Sequence, residues 1–310
     1  MKKTPRIKVV GVGGSGVNAI NRMVKEGLTG VELIAVNTDA QSLKMSSAPR
    51  KVLIGRKATG GLGTGMNVRL GEKAAKESYE ELKDVLKGTE LVFLTCGLGG
   101  GSGTSGICVL GDIAKELGIL SIAVVTLPFS FEGVQRKNVA KCGLRNLSGK
   151  VDTYLTIQND KLLEVVSPQT TVENAFWVCD GILREAVKAI ADLVSLPGII
   201  NVDFADLRGI LKHSGRAFLG IGKAKGEKRP VAAAHAALQS PLLDFSIKSS
   251  EGILLNIAAS EDVSLTEVHL AASAIRKQAR PKTKIIFGVS DDDSLEKGEM
   301  KVILIATSKS

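Results

Sequence analysis

Short apolar runs alternate with glycine-rich turns and helical patterns through the first half of this chain. The runs at 6–12 (RIKVVGV), 31–37 (VELIAVN), 90–96 (ELVFLTC), 119–126 (ILSIAVVT) and 152–157 predict buried strands. Between them the spacing turns helical. One helix runs from Gly13 through Asn18, Ile20, Met23 and Val24. A charged one passes Arg69, Ala74, Ala75, Tyr79, Leu82 and Leu86, and another carries Ile107 to Leu110 with Ile113 and Ala114. Phe129-Ser130-Phe131-Glu132-Gly133 opens a helix with Arg136, Lys137 and Lys141. Strand, turn, helix, strand is the βαβ unit, so the pattern predicts an α/β fold with a parallel, Rossmann-like sheet.

The period changes in the second half. Val172, Ala175, Phe176, Cys179, Ile182, Leu183, Ala186, Val187, Ile190, Leu193 and Val194 predict one long helix. A Thr170–Glu173 capping box opens it and Pro197-Gly198 stops it. Strands at 215–222, 251–258, 284–289 and 299–306, with helices at 229–239 and 264–279, predict a smaller α+β domain. The expected division is therefore 1–169, a spine helix at 170–197, and 198–310.

Glycine supplies the candidate chemistry. Gly97-Leu98-Gly99-Gly100-Gly101-Ser102-Gly103-Thr104-Ser105-Gly106 joins a predicted strand to a predicted helix. Glycine permits positive φ and lets backbone N–H groups approach a ligand. Amides at a helix start bind anions, phosphate above all. The turns at Gly11–Gly16 and Gly60–Gly65 read the same way, each following a strand and starting a helix. In an open α/β sheet such turns meet at the carboxyl edge. No P-loop lysine is present, since Gly222-Lys223 runs into Ala224. Gly11, Gly13 and Gly16 satisfy GxGxxG, but the second strand ends in Asn37-Thr38-Asp39, an ambiguous partner for ribose hydroxyls. On these residues alone, a dinucleotide oxidoreductase and a nucleotide-phosphate site both stand. Asp203 and Asp206, three residues apart at a predicted helix start, share a face. They read either as an N-cap at Asp203 or as a pair polarising water.

Composition narrows the classes. The net charge of +9 is spread along the 310 residues, and aromatics make up only 4%, too few for a base-stacking surface, so nucleic-acid binding is not expected. No apolar run approaches the roughly 20 residues of a membrane span. Ile7 to Val12 reads as a first strand, not a signal peptide. Cys96, Cys108, Cys142 and Cys179 lack CxxC spacing and sit in apolar surroundings, which predicts buried free thiols in a reducing cytoplasm. Three scattered histidines give no metal-ligand spacing.

Several motifs, in order, resemble the FtsZ family, the prokaryotic relatives of tubulin. Gly99 to Ser105 (GGGSGTS) resembles its signature loop, and Val36 to Gln41 matches VNTDAQ. Pro128 to Gly133 with Arg136 resembles PF-x-FEG-xx-R, and Asn201 to Arg208 resembles NVDFADVR. The resemblance spans Arg6 to Thr307. It implies an N-terminal GTP-binding domain, a spine helix and a C-terminal GTPase-activating domain. It implies nucleotide contacts from Gly14, Ser15, Gly16, Val17, Asn18, Thr64, Gly65, Met66, Gly99, Gly100, Gly101, Ser102, Gly103 and Thr104, of which Gly14, Ser15, Gly16, Gly101, Ser102 and Gly103 would hold phosphates. Asn18 and Asp180 would read guanine, with Phe176 packing on the base. Glu132 and Arg136 would contact the ribose and phosphates, and Pro128 and Asn159 would belong to the same nucleotide site. Mg2+ would sit mainly on phosphate oxygens and water, without protein metal ligands. Asn201, Asp203 and Asp206 would act on the nucleotide of a neighbouring copy, making hydrolysis dependent on head-to-tail assembly. The implied setting is the cytoplasm at the division site, with self as partner, division-ring accessory proteins besides, and no direct membrane insertion. The alternative is a structural or regulatory paralogue that binds nucleotide and hydrolyses little.

The departures from the family pattern carry expectations too. Ser102 keeps the hydroxyl of the usual threonine. Ser105 stands for glycine and is expected to narrow the loop. Val17, Trp177 and Lys212-His213-Ser214 are unusual, and Val68-Arg69 adds positive charge near the phosphates. The chain ends soon after its last strand, where family members continue into a tail, so a trimmed or divergent member is expected.

Overall fold

Every strand expected in the first half forms, and all of them pair in parallel. The computed structural model describes residues 5–163, 166–167, 169–195, 202–240, 242–243, 245–260, 263–292 and 294–308. The chain forms two compact units, one covering Pro5–Val187 and the other running from Lys188 onward.

The first unit begins with β1 (Ile7–Val12), α1 (Gly13–Lys25), β2 (Glu32–Asn37), α2 (Ala40–Met45), β3 (Arg50–Leu53) and α3 (Arg56–Thr59). It continues through α4 (Val68–Glu77), α5 (Tyr79–Leu86), β4 (Leu91–Gly97), α6 (Gly101–Glu116), β5 (Leu120–Leu127), α7 (Val134–Leu147), β6 (Thr153–Gln158) and α8 (Asn159–Leu162). The strand order is β3-β2-β1-β4-β5-β6. Parallel registers such as Val9↔Leu33 and Val9↔Phe93 place β1 between β2 and β4. The order reverses between β1 and β4, the topological switch point where doubly wound sheets bind ligands at the carboxyl ends of their strands. Both faces are covered, which is why β1 and β4 read as continuous apolar runs instead of alternating ones.

Four expectations need correction here. The 60–65 turn follows the short helix α3, not a strand. The charged helix is two helices, because Ser78 leaves helical geometry (φ −100, ψ 23) and its hydroxyl accepts from the Gly55 N–H at 3.1 Å. α6 begins at Gly101, so the second half of the glycine run is helix, not loop. Cys142 is exposed, while Cys96, Cys108 and Cys179 are buried. The elements α2, β3 and α3 were not anticipated.

Glycine in a helix interior costs roughly 0.5–1 kcal/mol relative to alanine, so Gly101, Gly103, Gly106 and Gly111 make α6 intrinsically weak. Packing offsets this. A Cβ on Gly101 would lie 2.4 Å from Thr64 Oγ1 and 2.7 Å from the Asn67 carbonyl. On Gly71 of α4 it would lie 2.5 Å from the Gly101 carbonyl. The absent side chains let α6, α4 and the loop before α4 touch backbone to backbone.

The long helix α9 spans Val172–Ser195, and the boundary between the two units falls within it. Its cap is Thr171 and not Thr170: the Thr171 carbonyl accepts from Ala175 N–H at 2.9 Å and its hydroxyl from Asn174 N–H at 3.2 Å. Pro197-Gly198 lies outside the described residues.

In the second unit α10 (Phe204–Leu211) precedes β7 (Gly215–Lys225), α11 (Arg229–Leu238), β8 (Gly252–Ala259), α12 (Leu265–Gln278), β9 (Lys284–Asp291) and β10 (Glu299–Thr307). The order β7-β10-β8-β9 is antiparallel except for β8–β9, giving the expected α+β arrangement. Ala233, Ala234 and Ala237 of α11 and Val268, Ala271 and Ile275 of α12 pack with Leu255, Ile257, Val302 and Leu304 in one core.

Candidate functional site

Two helices start side by side at the switch point of the first sheet. α1 leaves β1 directly at Gly13, and α6 leaves β4 through Leu98 to Gly100. Their N-cap residues, Val12 and Gly100, supply no capping side chain, so the first-turn amides stay open to a ligand. Gly13 has φ +71, and a Cβ there would lie 2.8 Å from the Gly103 nitrogen. The two helix starts therefore abut, each bringing about half a positive elementary charge. A Cβ on Gly14 or on Gly100 would meet nothing within 4 Å, so the open side of the cradle lies above them. Ser15 leans over the end of β4, where a Cβ on Gly97 would lie 2.7 Å from Ser15 Oγ. Gly16 and Val17 are buried in the first turn, while Asn18 is exposed.

Hydroxyls join the loops. Ser102 Oγ lies 2.6 Å from Thr38 Oγ1 and 3.0 Å from Thr64 Oγ1, so segments after β2, before α4 and at the start of α6 converge on one point. Gly65 (φ 53) and Met66 (φ 67) continue the Thr64 loop in left-handed backbone. Thr104 Oγ1 accepts from the Gly99 N–H at 3.0 Å and holds the glycine loop in shape. Ser105 does not narrow that loop. It lies inside α6, donates to the Gly101 carbonyl at 2.7 Å and faces Gly71 of α4. Asp39, the ambiguous acid, caps α2 by accepting from Ser42 N–H at 3.0 Å.

Further along the same edge, Pro128 leads into a short 3-10 turn, Ser130–Glu132. Glu132 accepts from Phe129 N–H at 2.8 Å and lies 3.1 Å from Arg136 Nε. The Arg136 stem packs on Gly99, whose Cβ would come within 2.7 Å of it. Asp160 accepts from the Ser130 amide at 2.7 Å and its hydroxyl at 2.5 Å. Beside it Asn159 is buried, and its Oδ1 has no partner among the described residues. A buried acceptor left open fits a site that a ligand completes.

A cavity of about 430 Å³ lies between α1 and α9, lined by Asn18, Asn21, Arg22, Lys25, Glu173, Phe176, Trp177 and Asp180. Phe129 meets Phe176 edge to face at 5.3 Å and holds its ring at the wall. Arg184 pairs with Glu26 and ties α9 to α1. Burial pushes the Asp180 carboxyl up to about 6, against the opposing field of Arg22. A carboxylate withdrawn from water on a cavity wall accepts hydrogen bonds from a ligand carrying adjacent N–H groups. Arg22 and Trp177 were not anticipated as site residues; only their one-turn offsets from Asn18 and Asp180 could have signalled them.

In the other unit Asp203 sits at the N-cap position of α10 without a side-chain capping bond. Asp206, in the first turn, lies 3.3 Å from Lys284 Nζ of β9, and both side chains are more than half exposed. Asn201 lies outside the described residues. The paired helix starts and these aspartates thus belong to different units of the chain.

The GTPase domain of the Tubulin/FtsZ family matches residues 6–167, and the C-terminal domain of the FtsZ family matches residues 215–309. Among solved structures, an empty FtsZ dimer from M. jannaschii is 42% identical, with a TM-score of 0.95 over 99% of this chain and 89% of that one. A mutant FtsZ from M. jannaschii gives 42% identity and a TM-score of 0.94 over 98% and 91%. CetZ2 from Haloferax volcanii, a GTPγS-bound protofilament, shares the fold with a TM-score of 0.83 at 21% identity, over 98% and 94%. Both family domains match in order along a chain with the switch-point cradle of a nucleotide-binding sheet, and this protein belongs to the FtsZ family.

Proposed function

We propose that this chain binds GTP, hydrolyses it between assembled copies, and forms head-to-tail filaments that act in cell division in the cytoplasm. The observation that carries the reading is the pair of abutting helix starts, open above Gly14 and Gly100, one end of an edge that also holds the Asp180 cavity. The cradle suits the phosphates: amides of Gly14 to Val17 and Gly101 to Gly103 donate, with Ser15, Ser102 and Thr64 supplying hydroxyls. Asn159, Glu132 and Arg136 suit the ribose and the neighbouring phosphates. Asp180 accepts from guanine N1–H and N2–H, a pattern adenine does not present, and Phe176 packs on the base. Mg2+, when bound, supplies charge neutralisation through phosphate oxygens and water.

We assign residues 1–169 to nucleotide binding, 170–197 to the spine and 198–310 to activation. Phosphate binding by amides leaves the cradle without a base to activate water. Asp203 and Asp206 supply one, with Asn201 beside them in the sequence, when a second copy presents this segment to the γ-phosphate. Positioned general-base help contributes about 10²–10⁴ in rate, roughly 3–5 kcal/mol. A contact between unlike surfaces that does not close propagates into a filament. The family's FtsZ dimer supports self-association.

The test is phosphate release from GTP as protein concentration rises, with light scattering followed alongside. Release per subunit that begins at a threshold together with scattering supports the reading, and release independent of concentration overturns it. Asp206→Ala is expected to keep GTP binding and polymers while losing turnover by the factor above.

A further inference from the structure

The base cavity carries a pair of residues that the guanine reading does not use. Arg22 of α1 places its guanidinium carbon 4.1 Å from the centre of the Trp177 ring, and its Nη1 donates to the Trp177 carbonyl at 3.5 Å. Trp177 is half exposed and follows the wall residue Phe176 directly. It lies three residues before Asp180, hence on the same face of α9. Arg22 lies four residues after Asn18, on the matching face of α1. The stack thus closes one side of the cavity with a cation fixed in place. An unstacked arginine would sample many rotamers and hold no defined position.

We infer that Arg22, docked on Trp177, is a positioning residue that sets the preference of this site for guanine by fixing a positive charge in the cavity that Asp180 also lines. The inference rests on the reading of Asp180 as the guanine acceptor. Burial and Arg22 act on Asp180 in opposite directions. Lys25 of α1 and Glu173 of α9 also line the cavity, Glu132 and the raised thiol of Cys179 lie nearby, and Arg22 is the charge that opposes the burial. A protonated Asp180 would present a donor where guanine also donates. Guanine binding therefore weakens as pH falls through the Asp180 pKa, and removing Arg22 moves that loss to higher pH.

Trp177 is the only tryptophan in the chain, so its fluorescence reports on the site directly. The experiment titrates GDP into the full chain from pH 5 to 8.5, by fluorescence and by calorimetry. The variants are Arg22→Gln, Arg22→Lys, Trp177→Ala, Trp177→Phe and Asp180→Asn. The expected result is a midpoint for loss of GDP affinity that rises by about one pH unit in Arg22→Gln. Affinity then lies about threefold below the parent's between the two midpoints, approaches tenfold below it at lower pH, and matches the parent at pH 8.5. Trp177→Ala shifts the midpoint the same way by less, and Trp177→Phe and Arg22→Lys restore part of it. A loss in Arg22→Gln that is equal at every pH, or an unmoved midpoint, overturns the inference while guanine reading by Asp180 stands. If Asp180→Asn binds GDP as the parent does at every pH, the guanine reading itself fails, and the inference with it. Trp177→Phe keeps the bulk of the wall, so the test stays decisive if an Arg22 variant does not fold.

Discussion

Asp180 and Asp292 are both acids withdrawn from water, and the fold treats them oppositely. Asp292, in the second unit, accepts from Lys301 Nζ at 2.5 Å and from Ser294 Oγ at 2.7 Å, and lies 3.3 Å from Lys188 Nζ. These partners outweigh burial and hold its carboxyl far below the usual range. At Asp180 burial outweighs the opposing field of Arg22 and pushes the carboxyl up to about 6. One acid is satisfied within the protein; the other is left to be completed. The contrast extends to the phosphate end, where helix-start amides and Asn159 Oδ1 also stay open. Of these two acids, the unmet one lines the cavity and the met one braces the second unit.

The largest effect should come from breaking the satisfied acid. Lys301→Met keeps the buried stem and removes the ammonium closest to Asp292, at a cost of about 3–5 kcal/mol in stability. Urea unfolding measures it, and a loss below about 1 kcal/mol would mean that Lys188 alone suffices. The Asp292 contribution is present above the carboxylate's unfolded pKa and is lost progressively as pH falls below it.

Next comes relief of the unsatisfied acid. The raised pKa of Asp180 means that the folded chain keeps a proton which the unfolded chain has released. Nucleotide-free stability should therefore fall as pH rises from about 4 to about 6 and stay lowered above that. Asp180→Asn removes this penalty and should stabilise the free chain at pH 7 by roughly 3 kcal/mol while losing GDP affinity. Thermal melts across pH 4–8 check both sign and window, and a melt that drops at pH 7 would contradict the comparison.

At the phosphate end, Gly14→Ala adds a methyl to open space. The fold should not respond, with a melting temperature close to the parent's. GDP affinity should fall at least about tenfold, near 1.4 kcal/mol, because the methyl enters the cradle. Equal losses of stability and affinity would mean that Gly14 serves the scaffold.

The smallest effect is expected at a satisfied hydroxyl. Ser105→Gly removes the bond to the Gly101 carbonyl and should cost about 0.5–1 kcal/mol of helix stability. Nucleotide affinity should be unchanged by calorimetry, since Ser105 faces α4. A tighter or weaker site would return Ser105 to the loop.

The strands, the glycine turns and the long helix were legible because each follows from a repeat within a few residues. Val9 to Val12 and Leu91 to Leu94 are apolar without interruption because helices cover both faces. Guanine-reading and phosphate candidates came from short motifs in register. What misled was also local. A glycine run reads as loop by propensity, yet α6 begins at Gly101 because close contact with Thr64 and Asn67 offsets the weak propensity. Ser78 breaks a helix that its own spacing would continue, in favour of a bond to Gly55. Cys142 sits among apolar neighbours in sequence but on an exposed face of α7.

The sequence by itself determined the α/β class, the order of the elements and the residues available to a nucleotide, since periodicity and motif spacing act over one or two turns of chain. Tertiary structure alone decided which groups meet: Gly13 against Gly103, Ser102 against Thr38 and Thr64, Arg22 over Trp177, and Lys188 and Lys301 on Asp292. Those meetings set whether a polar group is satisfied or left open. The balance of burial against partners depends on distances between residues far apart in the chain, which no local pattern contains.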